Sequence, residues 1–289
     1  IAEGKRDWVP VIKDFYGPFH QVIVVENNEN LGFIATVNRG MTWSDKNDVL
    51  LLNSDTEVAN DWLDKLKAKA YSGSNIGTVT PFSNNATICN YPTINGMQGL
   101  PEGENVKTLD AAFASANKGR HIEIPTAVGF CMYIRRHCLN EVGLFDVESF
   151  GKGYGEENDF CLKATAKGWK HLLAADTFVF HEGGVSFQAE SNPRKKRAMN
   201  ILRQRYPNYK ANVKRHIAKN EAYPFIVAAT AARYKQAGIP VVLHVLHAYV
   251  GGTQKHVEEL CRALHVKAKQ LVMSPSFLES GGGVQIRSA

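Results

Sequence analysis

Short apolar runs alternate with amphipathic stretches along most of the chain. Residues 49–52 are four consecutive apolar residues, a pattern that predicts a strand covered on both faces by other elements. Residues 61–71 follow with apolar side chains at helical spacing, and Asn60 is an expected N-cap for that helix. The alternation of strand-like and helix-like segments predicts an α/β fold.

The same reading applied to the whole chain gives an ordered set of elements. Strands are predicted at residues 21–25, 49–52, 76–80, 122–134, 169–174, 177–180 and 241–246, and helices at 31–41, 61–71, 109–117, 136–143, 156–167 and 253–264. Residues 82–108 predict a long loop, and residues 150–155 a flexible glycine-rich loop. Pro207 interrupts a helical segment at 193–219, residues 224–239 are a linker or a small helix, and no element is predicted after Gly281.

Polar residues follow the apolar run at 49–52 directly. Asn53, Ser54, Asp55, Thr56 and Glu57 come where the predicted strand leaves the sheet, and α/β sheets bind ligands beyond the carboxyl ends of their strands. A carboxylate at that point is placed to hold a cation and a phosphate. The alternative is a polar turn that merely contains Asp55.

Two further groups of polar residues could take part in catalysis or metal binding. Glu156, Glu157 and Asp159 open a predicted helix after Gly155, where acids also suit the helix dipole. On a helix these three acids do not share one face. His181 follows a predicted strand and is either a metal ligand or a hydrogen-bonded histidine at a strand end.

Composition indicates an ordinary globular protein. The chain has 289 residues, of which 44% are hydrophobic and 21% are charged. The five cysteines form no CxxC pair, which favours buried, reduced thiols in a cytosolic protein. No apolar run reaches the length of a membrane span, and residues 1–7 lack the apolar core of a signal peptide. The absence of an initiating Met suggests a piece of a longer protein.

Positive charge is concentrated in one segment. Residues 191–220 hold ten of the 34 Lys and Arg residues and none of the 28 acids, which leaves 24 bases against 28 acids elsewhere. Such a segment binds anionic lipid, phosphate or nucleic acid, or is a solvated helix face.

Five ordered segments resemble the inverting GT-A glycosyltransferases of family two. They are residues 30–33 with 38–40, residues 51–58 with 61–63, residues 128–135 with 143–146, residues 155–163, and residues 181–186. Together they extend from about residue 21 to about residue 190. Five segments in the family's order and spacing are far more specific than any one of them.

This resemblance implies a GT-A fold, Rossmann-like with a mixed, mostly parallel sheet. It assigns donor binding to Asn30, Gly32, Asn38, Arg39, Asn53, Ser54, Asp55 and Gly129. It assigns Mn²⁺ or Mg²⁺ binding to Asp55 and His181, and catalysis to Glu157 as base with Glu156 and Asp159 as neighbours.

The sequence departs from the family pattern in three places. The family's N-terminal strand and first acidic nucleotide-binding motif are absent, as expected if the sequence begins inside the domain. The metal motif, residues 53–55, contains one Asp where the family usually has more. Glu157 stands where the family most often has Asp.

The C-terminal region has a resemblance of its own. Residues 242–246 and 251–264 look like the opening of a GT-B glycosyltransferase of the retaining family four; the alternative is an α/β appendage packed on the first domain. The expected domains are therefore a GT-A domain at 1–220, a linker at 221–239 and the start of a GT-B-like domain at 240–289.

The expected function is metal-assisted, inverting hexosyl or deoxyhexosyl transfer from a nucleotide-sugar to a glycan or lipid-linked glycan. The resemblance suggests surface polysaccharide synthesis in the cytoplasm, with residues 191–220 resting on the anionic inner face of the cell membrane. Two alternatives remain: a sugar nucleotidyltransferase, and a non-catalytic polyanion-binding module built on residues 191–220. Nucleic acid is not an expected partner, because few aromatic residues interleave with the bases.

Overall fold

A computed structural model describes residues 10, 14, 22–93, 99–101, 103–183, 191–247, 251–264, 268–278 and 281–288. The helices are α1 (Gly32–Met41), α2 (Trp62–Ala70), α3 (Val106–Asn117), α4 (Arg136–Val142), α5 (Val147–Phe150), α6 (Glu156–Ala166), α7 (Ser191–Arg205), α8 (Tyr209–Lys219), α9 (Tyr223–Gln236) and α10 (Gly252–Leu264). The strands are β1 (Val49–Leu52), β2 (Thr56–Glu57), β3 (Ile76–Phe82), β4 (His121–Ile124), β5 (Cys131–Ile134), β6 (Lys170–Phe178), β7 (Phe180–His181), β8 (Val241–Val245), β9 (Lys269–Leu278) and β10 (Gly281–Ser288).

The central sheet has five strands in the order β1-β5-β3-β6-β4. Strands β3 and β6 pair in parallel, while β5 is antiparallel to both β1 and β3, and β4 is antiparallel to β6. Three strands, β1, β3 and β6, therefore share one direction. The predicted α/β class with a mixed sheet is confirmed.

Helices cover both faces of this sheet. On β5, Cys131 and Tyr133 belong to one core cluster, whereas Met132 and Ile134 belong to the other, because successive strand residues point to opposite faces. The first cluster contains the aromatic group Phe82, Tyr91, Phe113 and Phe178, and the second packs α1, α4, α6 and α7.

The prediction that residues 49–52 are covered on both faces is wrong. Strand β1 is an edge of the described sheet, and the side chain of Leu52 is 42% exposed. The strand predicted at 21–25 also fails in its described part, since residues 22–25 pair with no described strand and expose Val22, Ile23 and Val25. An apolar run is buried only when the neighbouring chain covers it, and here the adjoining segment does not.

Several other predicted strand and helix boundaries differ from those in the structure. The strand predicted at 122–134 is two strands, β4 and β5, joined by a turn that contains Gly129. Asn60 does not cap α2, because its amide donates to Lys107 and Asp110 on α3 instead. The two strands predicted between 169 and 180 merge into β6 and the short β7, and all five cysteines are buried and free of disulfides, as predicted.

The C-terminal elements form a separate three-stranded sheet in the order β10-β9-β8, with α10 between the parallel strands β8 and β9. The strand predicted at residues 241–246 forms as β8, whose apolar run is not buried, since Val241, Leu243 and Val245 are exposed. The chain continues into β10 after Gly281, where no element is predicted. Residues 224–239 are mostly helix α9, which places Ile226 and Ala229 in the first core cluster.

Candidate active site

A two-stranded ribbon brings Asp55 and His181 together. Strand β2 follows the polar turn after β1, and it pairs with β7 so that Thr56 lies opposite His181. Backbone N–H groups of Glu182 and Gly183 donate to the carbonyl and carboxylate oxygens of Asp55 at 2.9 and 3.2 Å. As a result, His181 Nε2 lies 3.5 Å from Asp55 Oδ1. The two metal ligands predicted from the sequence are neighbours in the fold.

The imidazole of His181 has a defined hydrogen-bonding pattern. Its Nδ1 lies 2.9 Å from the backbone carbonyl oxygen of Asn85, which can only accept, so Nδ1 carries the proton. Its Nε2 lies 3.4 Å from the amide nitrogen of Asn53, a donor. The ring stacks on Phe130 at 5.0 Å between centroids, with 18° between the planes. Nε2 therefore lies within 3.5 Å of both the Asn53 amide nitrogen and Asp55 Oδ1.

This pair fits part of a divalent cation site. A carboxylate oxygen and an imidazole nitrogen 3.5 Å apart can bind one ion, because metal–ligand bonds are about 2.0–2.2 Å. Across the described part of the chain, no three or more His, Cys, Asp or Glu residues cluster in a way that could hold a metal. Further ligands would come from phosphate oxygens and water, as is usual for Mg²⁺.

Asn53 links the cation pair to a neighbouring groove. Its backbone N–H donates to the carbonyl of Phe130 at 2.8 Å, and its carbonyl accepts from the Thr56 hydroxyl at 2.7 Å. A groove of about 400 Å³ extends from Asn53 between α1 and β1 and is bordered by Phe33 and Arg136. Ser54 lies exposed at the start of the turn. We call Asn53, Asp55, Phe130, His181 and Gly183 the Asp55–His181 cluster.

Glu157 lies next to Gly129, the residue before Phe130. A Cβ atom built on Gly129 would lie 3.9 Å from Glu157 Cγ, an ordinary van der Waals distance, so the two residues are direct neighbours. The next residue, Phe130, carries the ring that stacks on His181. Glu157 and the Asp55–His181 cluster thus flank the same two residues.

The acids of the first turn of α6, residues 156–159, have different surroundings; we call them the α6 acidic turn. Burial raises the pKa of Glu157, against hydrogen bonds from the backbone at Gly155 and Glu157. Glu156 is buried, and its Oε2 has no hydrogen-bond partner. Burial and the neighbouring charge of Glu157 raise the pKa of Glu156 to about 8.

Asp159 points away from the cluster and towards α7. Its carboxylate accepts from Arg205 and Tyr206 at 2.9 Å each, and from Lys163 at 2.7 Å. Arg205 also pairs with Asp146 at 2.9 Å. Asp159 therefore anchors the basic segment to α6, and the catalytic role that the resemblance assigns to it stays a prediction.

The donor-binding residues predicted on α1 have structural contacts. The Asn38 side chain both donates to the carbonyl and accepts from the N–H of Phe145, at 2.8 and 3.1 Å. Arg39 donates to the carbonyl of Glu26 at 2.7 Å. Asn30 accepts from the N–H of Gly32, whose φ is +79° and whose Cβ position would overlap Lys152. Their proposed contacts with a donor remain predictions.

Sequence reasoning missed Asn84 and Asn85. They lie in the predicted long loop, immediately after β3, and both contact His181. The Asn84 amide bonds the backbone of His181, and the Asn85 carbonyl accepts from its ring. The only sequence signal was two adjacent Asn residues after a strand, which also describes an ordinary turn.

Comparison with known proteins gives the following matches. Residues 5–143 match the family model described as Glycosyl transferase family 2, and no curated protein matches the sequence significantly. The fold is similar to a crystal structure of GalNAc-T7 with UDP, GalNAc and Mn²⁺, at 16% identity and a TM-score of 0.50, covering 91% of this chain. The chain spans 50% of the length of that protein.

A second solved structure is the mannosyltransferase PcManGT from Pyrobaculum calidifontis in complex with GDP-Man and Mn²⁺. Its identity is 14% and its TM-score 0.46, and the match covers 91% of this chain and 69% of that one. The family match contains Asp55 and Gly129 and ends before α6 and His181.

Proposed function

We propose that this chain, which contains a Glycosyl transferase family 2 domain with the GT-A fold, transfers a sugar from a nucleotide-diphosphate donor to a hydroxyl of a glycan or lipid-linked glycan, with inversion. The observation that carries the proposal is the approach of His181 to Asp55, with Glu157 next to Gly129 and the His181 ring stacked on Phe130. Donor activation and acceptor activation then have separate groups, which lie beside two adjacent residues of the chain.

Asp55 and His181 would hold Mn²⁺ or Mg²⁺ against the donor diphosphate. A bound divalent cation stabilises the negative charge that develops on the leaving phosphate. The imidazole ligand favours Mn²⁺ over Mg²⁺, and GalNAc-T7, which has the same fold, was solved with Mn²⁺. Asn53 reaches the groove beside β1, which we assign to the nucleotide.

Glu157 would take the proton from the acceptor hydroxyl. A carboxylate whose pKa is raised by burial is a better base than an exposed one, because the base strength moves towards the working pH. Attack from the side of Glu157, opposite the diphosphate, inverts the anomeric carbon.

The outward face of α7 and α8 supports an anionic membrane as the surface that carries the acceptor. Exposed cations on these helices include Lys196, Arg203, Lys210 and Lys214, whereas Arg205 faces Asp159 and Asp146. In the described residues no helix is long and apolar enough to cross a membrane. We propose peripheral attachment to the inner membrane face and a role in surface polysaccharide synthesis.

Vesicle sedimentation tests the membrane part. We expect binding to vesicles with acidic lipid that weakens with added salt, because the attraction is between charges. No binding to such vesicles at low salt would remove this part of the proposal and leave the transfer reaction untouched.

The C-terminal sheet is compatible with the opening of a second glycosyltransferase domain of GT-B type. Its β8-α10-β9 crossover with parallel strands is an α/β unit, and Gly252 begins the helix. The division at residues 220 and 240 is part of the same proposal.

A screen of nucleotide-sugars for Mn²⁺-dependent hydrolysis and transfer tests the reaction. We expect one donor class to be turned over, and Asp55→Asn to lose most of that activity. Glu57→Gln is the matched control, since Glu57 is an exposed acid two residues further along. Turnover of a sugar phosphate with a nucleoside triphosphate would favour a nucleotidyltransferase, and equal activity of the two variants would remove Asp55 from the site.

A further inference from the structure

Asn84 has an unusual relation to β7. Its side-chain oxygen accepts from the N–H of His181 at 2.8 Å, and its side-chain nitrogen donates to the carbonyl of the same residue at 3.0 Å. This pair of bonds is what a neighbouring strand would supply to a residue in a ladder. Asn84 is 3% exposed, so the amide acts as a short substitute strand in a buried position.

The other edge of β7 is occupied by β2. Strand β7 has only two residues, and its pairing with β2 brings Thr56 opposite His181. A two-residue strand has little stability of its own, since isolated hairpins are marginal in water. The Asn84 amide supplies the second edge and fixes the backbone from which the His181 ring projects.

The residue after Asn84 fixes the ring itself. The carbonyl of Asn85 accepts from Nδ1–H of His181, and Nε2 of the same ring lies 3.5 Å from Asp55 Oδ1. One short stretch of chain therefore holds both the backbone and the tautomer of the histidine. Such outer partners fix the orientation of a metal-binding imidazole.

The loop that carries these two residues is itself tied to the sheet. The N–H of Ser83 donates to the carbonyl of Cys89, and the N–H of Tyr91 donates to the carbonyl of Ser83. The side chain of Asn90 accepts from the N–H of Ala86 across the loop at 2.8 Å. Because Ser83 directly follows β3, the position of Asn84 is set by a buried central strand.

We propose that Asn84 is a positioning residue for His181, which holds the histidine so that Nε2 and Asp55 bind one divalent cation. The proposal rests on the metal site of the proposed function. It adds a residue from a third segment, outside the β2–β7 ribbon, to the determinants of that site.

The test compares Asn84→Ala with Asn117→Ala. Asn117 is a matched control, because it is 2% exposed and its amide donates to two backbone carbonyls, those of Ala175 and Phe225, away from the site. Both variants lose buried hydrogen bonds and stability. Only Asn84→Ala should change His181.

Two measurements on the whole chain separate these effects. Long-range ¹H–¹⁵N correlation in the metal-free protein reports which ring nitrogen of His181 is protonated; we expect Nδ1–H in the wild type and in Asn117→Ala, and a mixture of tautomers in Asn84→Ala. Titration with Mn²⁺ alone, followed by EPR of the free ion, should show about 10- to 100-fold weaker binding for Asn84→Ala only.

If Asn84→Ala does not fold, the same measurements are made on Asn84→Asp. It has the same shape and keeps the oxygen that accepts from the His181 N–H, but it presents a second oxygen to the His181 carbonyl. We expect a loss of about tenfold in Mn²⁺ affinity. Folded Asn84 variants with the wild-type tautomer and wild-type Mn²⁺ affinity would overturn the proposal.

Failure of the Asn84 proposal is distinguishable from failure of the proposed metal site. If the wild type binds Mn²⁺ no better than Asp55→Asn and His181→Ala, the metal part of the proposed function fails. The tautomer of His181 in Asn84→Ala then decides the positioning role by itself.

Discussion

The Asp55–His181 cluster and the α6 acidic turn are built in opposite ways. The cluster joins residues from segments more than a hundred positions apart, and it unites them through pairing of β2 with β7. The acids of the α6 turn are adjacent in sequence, yet Glu157 lies beside Gly129 while Asp159 binds Arg205 on α7. Neighbours in sequence are thus separated in role, because successive helical residues point in different directions.

The Asp55–His181 cluster and the α6 acidic turn also differ in the hydrogen bonds that their carboxylates accept. The Asp55 carboxylate lies half-exposed and accepts from the backbone N–H of Gly183. Glu156 is buried and has an oxygen without a partner. A partly solvated carboxylate is suited to exchange water for a cation, whereas a buried, unpaired one favours its protonated form.

Replacement of Glu157 should give the largest effect. Glu157→Gln removes the proposed base and preserves shape, so we expect a loss of about 10²- to 10⁴-fold in sugar transfer with Mn²⁺ binding unchanged. A transfer assay with the donor found by the screen measures this. Glu148→Gln, an exposed glutamate on α5, is the control, and near-normal turnover of Glu157→Gln would show that the α6 acidic turn lacks the base.

Asp159→Asn should act on stability. Asp159 is 1% exposed and binds two cations, so the variant removes the counter-charge of Lys163 and leaves Arg205 with Asp146 alone. We expect a loss of about 2–4 kcal/mol in the free energy of unfolding, reduced because both cations are partly exposed. Urea denaturation measures it against Glu123→Gln, which breaks the exposed pair with Lys170 and should cost about 0–1 kcal/mol. Equal losses would mean that Asp159 does not anchor α7.

Gly183→Ala tests the Asp55–His181 cluster at its backbone. Gly183 has a φ of +67°, and a Cβ there would overlap the Asn85 side chain. We expect about 1–3 kcal/mol of destabilisation, measured by thermal unfolding, together with weaker Mn²⁺ binding. Gly40→Ala on α1 has open space around it and should be neutral or stabilising by up to about 1 kcal/mol. Matching effects would refute the close packing of residues 85 and 183.

Glu156→Gln should give the smallest effect, and one that depends on pH. The folded-state pKa is raised to about 8 from an ordinary value of 4.5, so the folded protein binds the proton more tightly than the unfolded chain. The wild type therefore loses stability as pH rises from about 4.5 to about 8, and Gln does not. We expect the variant to be more stable than the wild type at pH 8.5, with the difference vanishing at pH 4.5.

Urea midpoints at these two pH values measure this difference between the variant and the wild type. A wild-type protein with no such pH dependence relative to Glu156→Gln would mean that Glu156 is ionised in the fold. It would also mean that the two adjacent glutamates are less distinct than their surroundings indicate.

The sequence alone determined the types of the elements and the candidate catalytic and metal-binding residues. The helices α1, α2 and α10 follow from apolar spacing, which is a local property and needs no partner. Asp55, Glu157 and His181 stand out in the sequence as acids or a histidine at element ends, and the order of five motifs carries the resemblance to the family.

Only the tertiary structure decided which of these residues meet and which elements are covered. The approach of His181 to Asp55 depends on β2–β7 pairing, and the role of Asn84 depends on a loop that returns across the same ribbon. The exposure of Leu52 on β1 depends on which segment lies beside it. Such contacts join positions far apart in the chain, and no local periodicity encodes them, because they are selected by the packing of the whole sheet.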